Sequence, residues 1–425
     1  MSRPLSVLLV GHGYPPRETA GTEQHMASLA SGLRAQGHRV HVLAATRAPG
    51  RRAYEVLEED GVTRIVNNLS ARPLAQAERD LAVEVLAERV ERRVRPDLVH
   101  VHHLQFLSSG LRFRAPVVAT LHDQWAWCAA GGLGLLPDAR VCPGPSPERC
   151  APCAAAWRPT EGRVASGLIA AAGLLAPVVA PERLHALYQR VPDRLRASVR
   201  RGARPAEGPE AAKARNTAVT AFFRAAAARV SPSRWLAVQA EQQGLGAVEV
   251  IPHGAAVGMP RIGGGGLLFL GTVSRHKGTD LVVRAWRRAF PDGEPGLAIH
   301  GPVLDADAAL GQPIGPVLDR AGVAAALSVA RALVLGSRWP ENAPLVILEA
   351  RAAGCPVIAP AIGGIPELVE HGRDGLLYPP GDEDALVDAL RSVSPWPEGR
   401  VRPPPSHEEQ LQKIIGLYHR VTATP

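Results

Sequence analysis

Lysine is nearly absent from this chain of 425 residues, in which Lys213, Lys277 and Lys413 are the three lysines and every other basic residue is an arginine. Lysine and arginine together number 48 against 40 acidic residues, so the formal net charge is +8. A positive balance suits an anionic partner such as nucleic acid, a phosphorylated metabolite or an acidic lipid. An arginine-rich proteome would give the same balance, so charge alone does not choose a partner.

Aromatic residues and long apolar runs are also scarce. Phe, Trp and Tyr make up 4% of the chain, and no aromatic-rich platform, zinc-finger spacing or helix-turn-helix pattern indicates a partner nucleic acid. The longest apolar stretch, residues 167–181, is broken by proline and is shorter than the roughly 20 residues of a membrane span. The N-terminal apolar run lacks a signal-peptide cleavage site, so we expect a cytoplasmic protein.

Strands and helices alternate along two parts of the chain. Residues 5–10 form the continuous apolar run of a buried strand, a helical pattern follows a Gly/Pro loop, and such units repeat to residue 123. A second series begins at residue 263. The alternation predicts an α/β protein with two Rossmann-like, doubly wound parallel sheets.

The expected domain boundaries follow from these two series. We place an N-terminal domain at 1–255, with a cysteine-rich insert at 128–153, and a C-terminal domain at 262–398. A last helix is predicted at 406–422, and residues 160–230 are predicted to be mostly helical. Two such domains joined by a hinge bind ligands in the cleft at the carboxyl ends of their strands.

Two acids, Glu341 and Glu349, surround the predicted start of a helix in "RWPENAPLVILEARAAG". With Asn342 or Ala343 as N-cap and Pro344 in the first turn, the acids are separated by roughly 10–12 Å along the axis. The amides between them favour an anion. An anion site between two acids matches the layout of a nucleotide sugar, in which a diphosphate lies between the sugar and the ribose. The alternative is a loop acid near a helix dipole and a glutamate paired with arginine.

Lys277 lies in "FLGTVSRHKGTD", where a predicted strand ends in a loop that opens a helix. Gly271 and Gly278 allow the backbone to approach a phosphate closely. A lysine in an arginine-dominated chain indicates a place for a compact ammonium. A solvated loop cation is the alternative interpretation.

These segments resemble the retaining family-4 glycosyltransferases of the GT-B fold, also called glycosyl transferases group 1. The resemblance covers most of the chain, is most specific at 341–380, and includes "ATLHDQW", "VIPHG" and "YPPRETAGTEQHMASLASGLRAQGHRVHVL". It implies sugar transfer from a nucleotide-diphosphate sugar, with retention of anomeric configuration and without a catalytic metal. The acceptor would be a glycan, a lipid-linked molecule or a small molecule.

The resemblance also implies roles for individual residues. Glu341 would contact the donor sugar, Lys277 the diphosphate, and His122 would lie beside the transferring sugar as a positioning group or a base. Glu349 would bind the ribose, and His102 and His103 would line the acceptor side. The donor site as a whole would comprise Gly21, Gly271, Lys277, Glu341, Asn342, Ala343, Glu349, Gly363 and Gly364.

Three features depart from the family pattern. Thr272 stands where the family often has an arginine, which leaves Arg275 as a candidate substitute. Ala20 replaces a glycine before the first helix, and the segment at 302–314, which would border the base, is short. Two alternatives therefore stay open, a non-catalytic nucleotide-sugar-binding protein and a sugar-nucleotide epimerase on the same fold.

Four cysteines, Cys128, Cys142, Cys150 and Cys153, lie in one Gly/Pro-rich segment that ends in a C-x2-C pair. Four reduced thiols in one loop indicate a structural zinc site. Their other spacings are unusual for zinc, so unligated buried thiols and an oxidised pair are alternatives. Cys355 stands alone and is assigned to the core.

Residues 190–205 concentrate arginines just after the apolar stretch at 167–181. A basic amphipathic surface there would make peripheral contact with the inner membrane face and reach a lipid-linked acceptor. The alternative is a solvated helix that packs over the acceptor domain.

Overall fold

The computed structural model describes residues 3–48, 50–68, 79–157, 207–256, 258–393, 396–397 and 399–423. The apolar stretch at 167–181, the basic segment at 190–205 and most of the helical prediction at 160–230 lie outside the described residues. Among the helices described, none is long and apolar enough to cross a membrane.

The first sheet has eight strands. They are β1 Ser6–Gly11, β2 Arg39–Thr46, β3 Val56–Glu59, β4 Val62–Val66, β5 Leu98–Val101, β6 Val117–Thr120, β7 Ala228–Ser231 and β8 Glu249–Val250. Their spatial order is β3–β4–β2–β1–β5–β6–β7–β8, and all neighbours run parallel except β3 with β4. The central strand β1 is buried along its whole length, which explains its unbroken apolar sequence.

The helices of this part are α1 Gly21–Ala35, α2 Leu81–Val94, α3 Pro147–Trp157, α4 Pro209–Arg224 and α5 Arg234–Gln242. A 3₁₀ turn, Gln124–Ala126, follows β6. Helix α2 begins at Leu81 because the Asp80 carboxylate caps it by accepting hydrogen bonds from the amides of Ala82 and Val83.

The second sheet has five parallel strands. They are β9 Leu267–Leu270, β10 Leu297–His300, β11 Ala332–Val334, β12 Val357–Pro360 and β13 Gly375–Tyr378, in the order β10–β9–β11–β12–β13. Its helices are α6 Thr279–Ala289, α7 Arg320–Val329, α8 Leu345–Ala352, α9 Ile365–Leu368 and α10 Glu383–Ser392. The two parallel sheets confirm the predicted fold class. One 3₁₀ turn, Ala306–Ala309, lies in the short segment after β10.

The last helix, α11 His407–Ala423, returns to the first sheet. Its apolar face, which includes Leu411, Ile414 and Tyr418, is buried in the same core as Met26 and Leu33 of α1. The Tyr418 hydroxyl lies 2.6 Å from His100 Nδ1 at the end of β5. The chain therefore crosses between the two sheets twice.

Candidate functional site

A cleft with an empty volume of about 1190 Å³ lies between the two sheets. Its residues follow the carboxyl ends of β1, β5, β6, β9 and β11, where doubly wound folds bind ligands. Of the residues singled out from the sequence, the cleft brings together Gly21, His103, His122, Gly271, Lys277, Glu341, Asn342 and Ala343.

Lys277 and Glu341 form an ion pair in this cleft. Lys277 Nζ lies 2.7 Å from Glu341 Oε1, and the Ser337 hydroxyl donates to the same oxygen at 2.8 Å. The ammonium also lies 4.7 Å from the centre of the Trp339 ring, within cation–π range. Three contacts thus hold one cation and one buried carboxylate at a single point of the cleft.

The loop that carries Lys277 is held against the loop after β11. Gly278 has a φ of +68°, and a Cβ there would collide with the backbone carbonyl of Gly336. A glycine is therefore needed for both conformation and space. The Ser274 hydroxyl accepts a hydrogen bond from the Lys277 amide at 3.4 Å, which closes the turn below the ammonium.

Helix α8 begins at Leu345, with Pro344 as its N-cap, so the predicted N-cap at Asn342 or Ala343 is wrong. The Asn342 amide is engaged elsewhere: its Nδ2 donates to the carbonyls of Leu121 at 3.2 Å and His122 at 3.0 Å. The Ser233 hydroxyl donates to Asn342 Oδ1. Asn342 therefore ties the two domains together instead of capping the helix.

Two helix N-termini face the cleft. Helix α1 follows Ala20 and α8 follows Pro344, and neither N-cap residue supplies a side-chain hydrogen bond to its first turn. A Cβ added at Gly21 would lie 3.9 Å from Leu345 Cδ1, so the two helix starts approach each other. Uncapped first-turn amides favour an anion between them.

Gly363 and Gly364 support the Glu341 loop from outside the cleft lining. The Gly364 amide donates to the Glu341 carbonyl at 2.8 Å. A Cβ on Gly363 would collide with the Glu341 backbone, and one on Gly364 with the Asn342 carbonyl. These glycines hold the acid in position rather than face the cleft.

Glu349 lies on α8, exposed and outside the cleft lining. Partial burial of its carboxylate raises its pKa, and the nearby charge of Arg320 opposes the rise. Arg320 reaches from α7 to Gln24 of α1 at 3.2 Å, so Glu349 lies near a contact between the domains.

A group of buried histidines forms the floor of the cleft on the side of the first sheet. One ring nitrogen each from His25, His102 and His122 lies within 4.8 Å of the other two. The ring centre of His253 lies 4.1 Å from that of His25, and the two ring planes are tilted by 41°. Burial lowers the pKa of His25 to about 4 and the pKa values of His102, His122 and His253 well below the usual range. These imidazoles are therefore neutral at pH 7.

His102 is fully buried behind the cleft and His122 lies at its surface. Their Nδ1 and Nε2 atoms are 3.1 Å apart. Because burial lowers the pKa of His122, it is a weak proton acceptor, and the geometry suits a positioning group better than a base.

Two acid–histidine pairs in the cleft were not predicted from the sequence. His12 Nε2 lies 2.9 Å from Glu23 Oε1, and His103 Nε2 lies 3.6 Å from Asp123 Oδ2. Burial disfavours the charged form of His12, but the hydrogen bond and the charge of Glu23 outweigh it and raise the pKa of His12. His12 directly follows β1 and Asp123 lies three residues after the end of β6, and these positions at the carboxyl ends of strands could have indicated both residues.

Arg275 does not replace the family arginine in this structure. Its side chain is exposed and its Nε lies 3.4 Å from Asp305 Oδ2, outside the cleft lining. Asp305 and Asp307 form an Asp-x-Asp pair in the 3₁₀ turn after β10, also outside the cleft lining.

The four clustered cysteines are free thiols that line one small cavity. The oxidised pair is therefore not present in this structure. Cys355 is fully buried in the core of the second sheet, as assigned.

Two family models match the chain. Residues 264–394 match glycosyl transferases group 1, and residues 19–144 match glycosyltransferase family 4. The D-inositol 3-phosphate glycosyltransferase of Pseudarthrobacter chlorophenolicus is 33% identical over 150 residues, 32% of this chain and 36% of the relative. The glycogen synthase of Mycobacterium tuberculosis is 31% identical over 204 residues, 43% of this chain and 48% of the relative. The matches thus span less than half of either relative.

Solved structures share the fold over nearly the whole chain. Sucrose-phosphate synthase from Thermosynechococcus elongatus has a TM-score of 0.62 at 17% identity and covers 99% of this chain and 100% of its own. Anabaena HepE in complex with UDP and glucose has a TM-score of 0.54 at 16% identity and covers 97% of this chain and 99% of its own. At these identities the likeness establishes the GT-B fold.

Proposed function

The two domains of this chain are those of the family-4 and group 1 glycosyltransferases, and we propose that the chain transfers a sugar from a nucleotide-diphosphate sugar to an acceptor, with retention of anomeric configuration. The observation that carries the proposal is the Lys277–Glu341 pair at 2.7 Å in a cleft that two uncapped helix N-termini face. The cation and the amides suit a diphosphate, and the acid suits sugar hydroxyls.

Donor binding then breaks the ion pair between Lys277 and Glu341 and gives each residue a new partner. The Lys277 ammonium pairs with the diphosphate oxygens. Glu341, no longer bound to Lys277, then accepts hydrogen bonds from the sugar. The α1 amides at Gly21 and the α8 amides at Leu345 approach the diphosphate from opposite sides. Glu349, which lies further along α8 and outside the cleft lining, is the residue proposed to bind the ribose hydroxyls.

In the reaction the bond between the anomeric carbon and the diphosphate oxygen breaks, and the sugar acquires oxocarbenium character. Lys277 and the helix amides stabilise the negative charge that develops on the leaving oxygen. The acceptor oxygen attacks from the same face, and its proton passes to the departing phosphate. No protein base is needed, so neutral His122 orients the sugar.

The base and the acceptor are open choices within this proposal. Anabaena HepE is described in complex with UDP and glucose, and Arabidopsis thaliana starch synthase IV with ADP and acarbose. We therefore include uridine, adenosine and guanosine diphosphates as donor candidates. Glycans, lipid-linked molecules and small molecules remain the acceptor candidates.

A non-catalytic nucleotide-sugar binder is a second candidate, favoured by one observation. Thr272 replaces the family arginine, and Arg275 is turned toward Asp305 instead of the cleft. A non-catalytic binder would bind the nucleotide sugar without turning it over. An epimerase would convert the nucleotide sugar to its epimer even when no acceptor is present.

Thermal unfolding with UDP, GDP, ADP and their sugars tests the donor site. A ligand at about 100 times its Kd stabilises the native state by roughly 2.7 kcal/mol. We expect one nucleotide to raise Tm in the wild type and in Lys413→Met, a lysine variant outside the cleft, but not in Lys277→Met. A Tm that no nucleotide raises would overturn the proposal. Product analysis with and without acceptor mixtures then separates transferase, binder and epimerase.

A further inference from the structure

Residues 128–157 bring four cysteines to one cavity through a loop, a hairpin and a helix. Leu135 and Val141 pair in an antiparallel bridge, and Cys142 follows directly. Helix α3 carries Cys150 and Cys153. Because the two cysteines are three residues apart, they lie on the same helix face, about one turn from each other. The hairpin and the helix thus present two separate groups of thiols to the same space.

Backbone amides surround the first thiol. Burial raises the pKa of the Cys128 thiol, and the backbone amides of Gly134, Ala130 and Gly132 oppose that rise. Gly132 and Gly134 have φ values of +86° and +57°, which let the chain turn around that sulfur. Amides beside a sulfur favour the negative charge that a metal-bound thiolate carries, so these amides would support a metal ligand at Cys128.

The sulfurs are not at ligation distance in this structure. Tetrahedral zinc with bonds of 2.3 Å places its sulfurs about 3.8 Å apart. Among the described residues, the three-ligand group found within 4.8 Å is His25, His102 and His122, not the cysteines. Cys142 Sγ points to the Gly144 carbonyl at 3.3 Å and Cys153 Sγ to the Leu135 carbonyl at 3.5 Å. Ligation therefore requires these thiols to turn toward the cavity that they line.

We propose that Cys128, Cys142, Cys150 and Cys153 bind one structural zinc ion as thiolates, and that this ion holds the loop behind the cleft residue Asp123. Four sulfur ligands fill a tetrahedral zinc site and leave no open position, so the ion is structural. Binding releases the thiol protons to solvent and involves no change of oxidation state.

The coupling to the cleft follows from contacts of the same loop. The Cys128 amide donates to the Gln124 carbonyl at 2.8 Å, and the Trp125 amide donates to Asp123 Oδ1 at 2.7 Å. A Cβ on Gly132 would meet the Asp123 carboxylate at 2.7 Å. The cysteine loop thus packs directly behind the acid that faces His103. Loss of the ion would loosen that support.

Metal content tests the binding itself, independently of any transferase activity. We expect one zinc per chain in tag-free protein purified without added metal, and loss of that zinc in the Cys150→Ser/Cys153→Ser variant. Cys355→Ala, in the core of the second sheet, is the matched control and should keep the ion. Absence of zinc from the wild type, even after incubation with zinc, would overturn the proposal.

Wild-type protein gives two further readouts if the double variant does not fold. A chelator should expose four additional thiols to alkylation, with peptide mapping to the four cysteines. Cobalt substituted for zinc should show intense sulfur-to-metal charge-transfer bands. A cobalt spectrum without sulfur bands, abolished by His102→Gln, would place the metal at the histidine group and refute the cysteine site, and a bound iron would refute zinc.

Discussion

Replacing Glu341 with glutamine removes the negative charge that holds the Lys277 ammonium at 2.7 Å. The side chains are matched in shape, so the change acts on charge. In the proposed donor site the diphosphate must compete with Glu341 for Lys277. The glutamine variant should therefore bind the free nucleoside diphosphate more tightly than the wild type, although the glutamate is expected to be needed for turnover.

The magnitude follows from the exposure of the pair. The Lys277 side chain is 26% exposed and that of Glu341 9% exposed. A charged hydrogen bond contributes roughly 1.5–3 kcal/mol, and the partial exposure of Lys277 points to the lower end. At about 1.4 kcal/mol for each factor of ten, we expect about a tenfold gain in affinity. Turnover should fall about a hundredfold if Glu341 contacts the sugar in the transition state.

Calorimetric titration with the nucleoside diphosphate selected by the unfolding panel measures the affinity, and product formation measures turnover. Glu210→Gln is the matched control, because it changes the same charge on a side chain that is 86% exposed on α4. Equal or weaker binding of the diphosphate by Glu341→Gln would refute the competition for Lys277. Unchanged turnover would refute the role of Glu341 at the sugar.

Three further predictions concern stability. Asn342→Ala loses three hydrogen bonds between the domains and should lower the free energy of unfolding by about 1–3 kcal/mol, measured by urea titration. Gly278→Ala should cost more than about 1 kcal/mol because its Cβ collides with Gly336, whereas Gly381→Ala, with φ +77° and open space, reports the backbone strain alone. The pKa of His25 is lowered to about 4, so its neutral form stabilises the fold fully above pH 6.5 and progressively less as pH falls toward 4. Between pH 6.5 and pH 4, the free energy of unfolding should fall less in His25→Gln than in the wild type. The difference should reach up to about 3 kcal/mol, measured by urea titration at each pH.

Local patterns predicted much of the fold. The apolar runs of β1, β9 and β12 and the helical spacing of α1 are properties of short segments, so the two parallel sheets followed from them. Because the residues after parallel strands meet at one edge of a sheet, the same patterns directed attention to Lys277 and Glu341. The prediction of roles for these residues rested on resemblance, and it stays a prediction.

Local patterns failed where a distant partner decides a side chain's contacts. Asn342 was predicted as a helix cap. Its side-chain amide instead donates hydrogen bonds to the carbonyls of Leu121 and His122, which lie more than 200 positions earlier in the chain. The resemblance placed Gly363 and Gly364 in the donor site, and that role stays a prediction; their packing against the backbone of the Glu341 loop was not indicated by any local pattern. The pairs of His12 with Glu23 and of His103 with Asp123 carry no sequence period that would indicate them.

The sequence by itself determined the alternation of strands and helices, the two sheets and the segments that end at the cleft. The reason is that hydrophobic periodicity is a property of about ten to twenty neighbouring residues. Tertiary structure alone decided that Lys277 meets Glu341, that Asn342 joins the domains and that α11 returns to place Tyr418 beside His100. Those contacts join residues 64 to 318 positions apart. Packing of whole elements, not the pattern of any segment, brings such residues together.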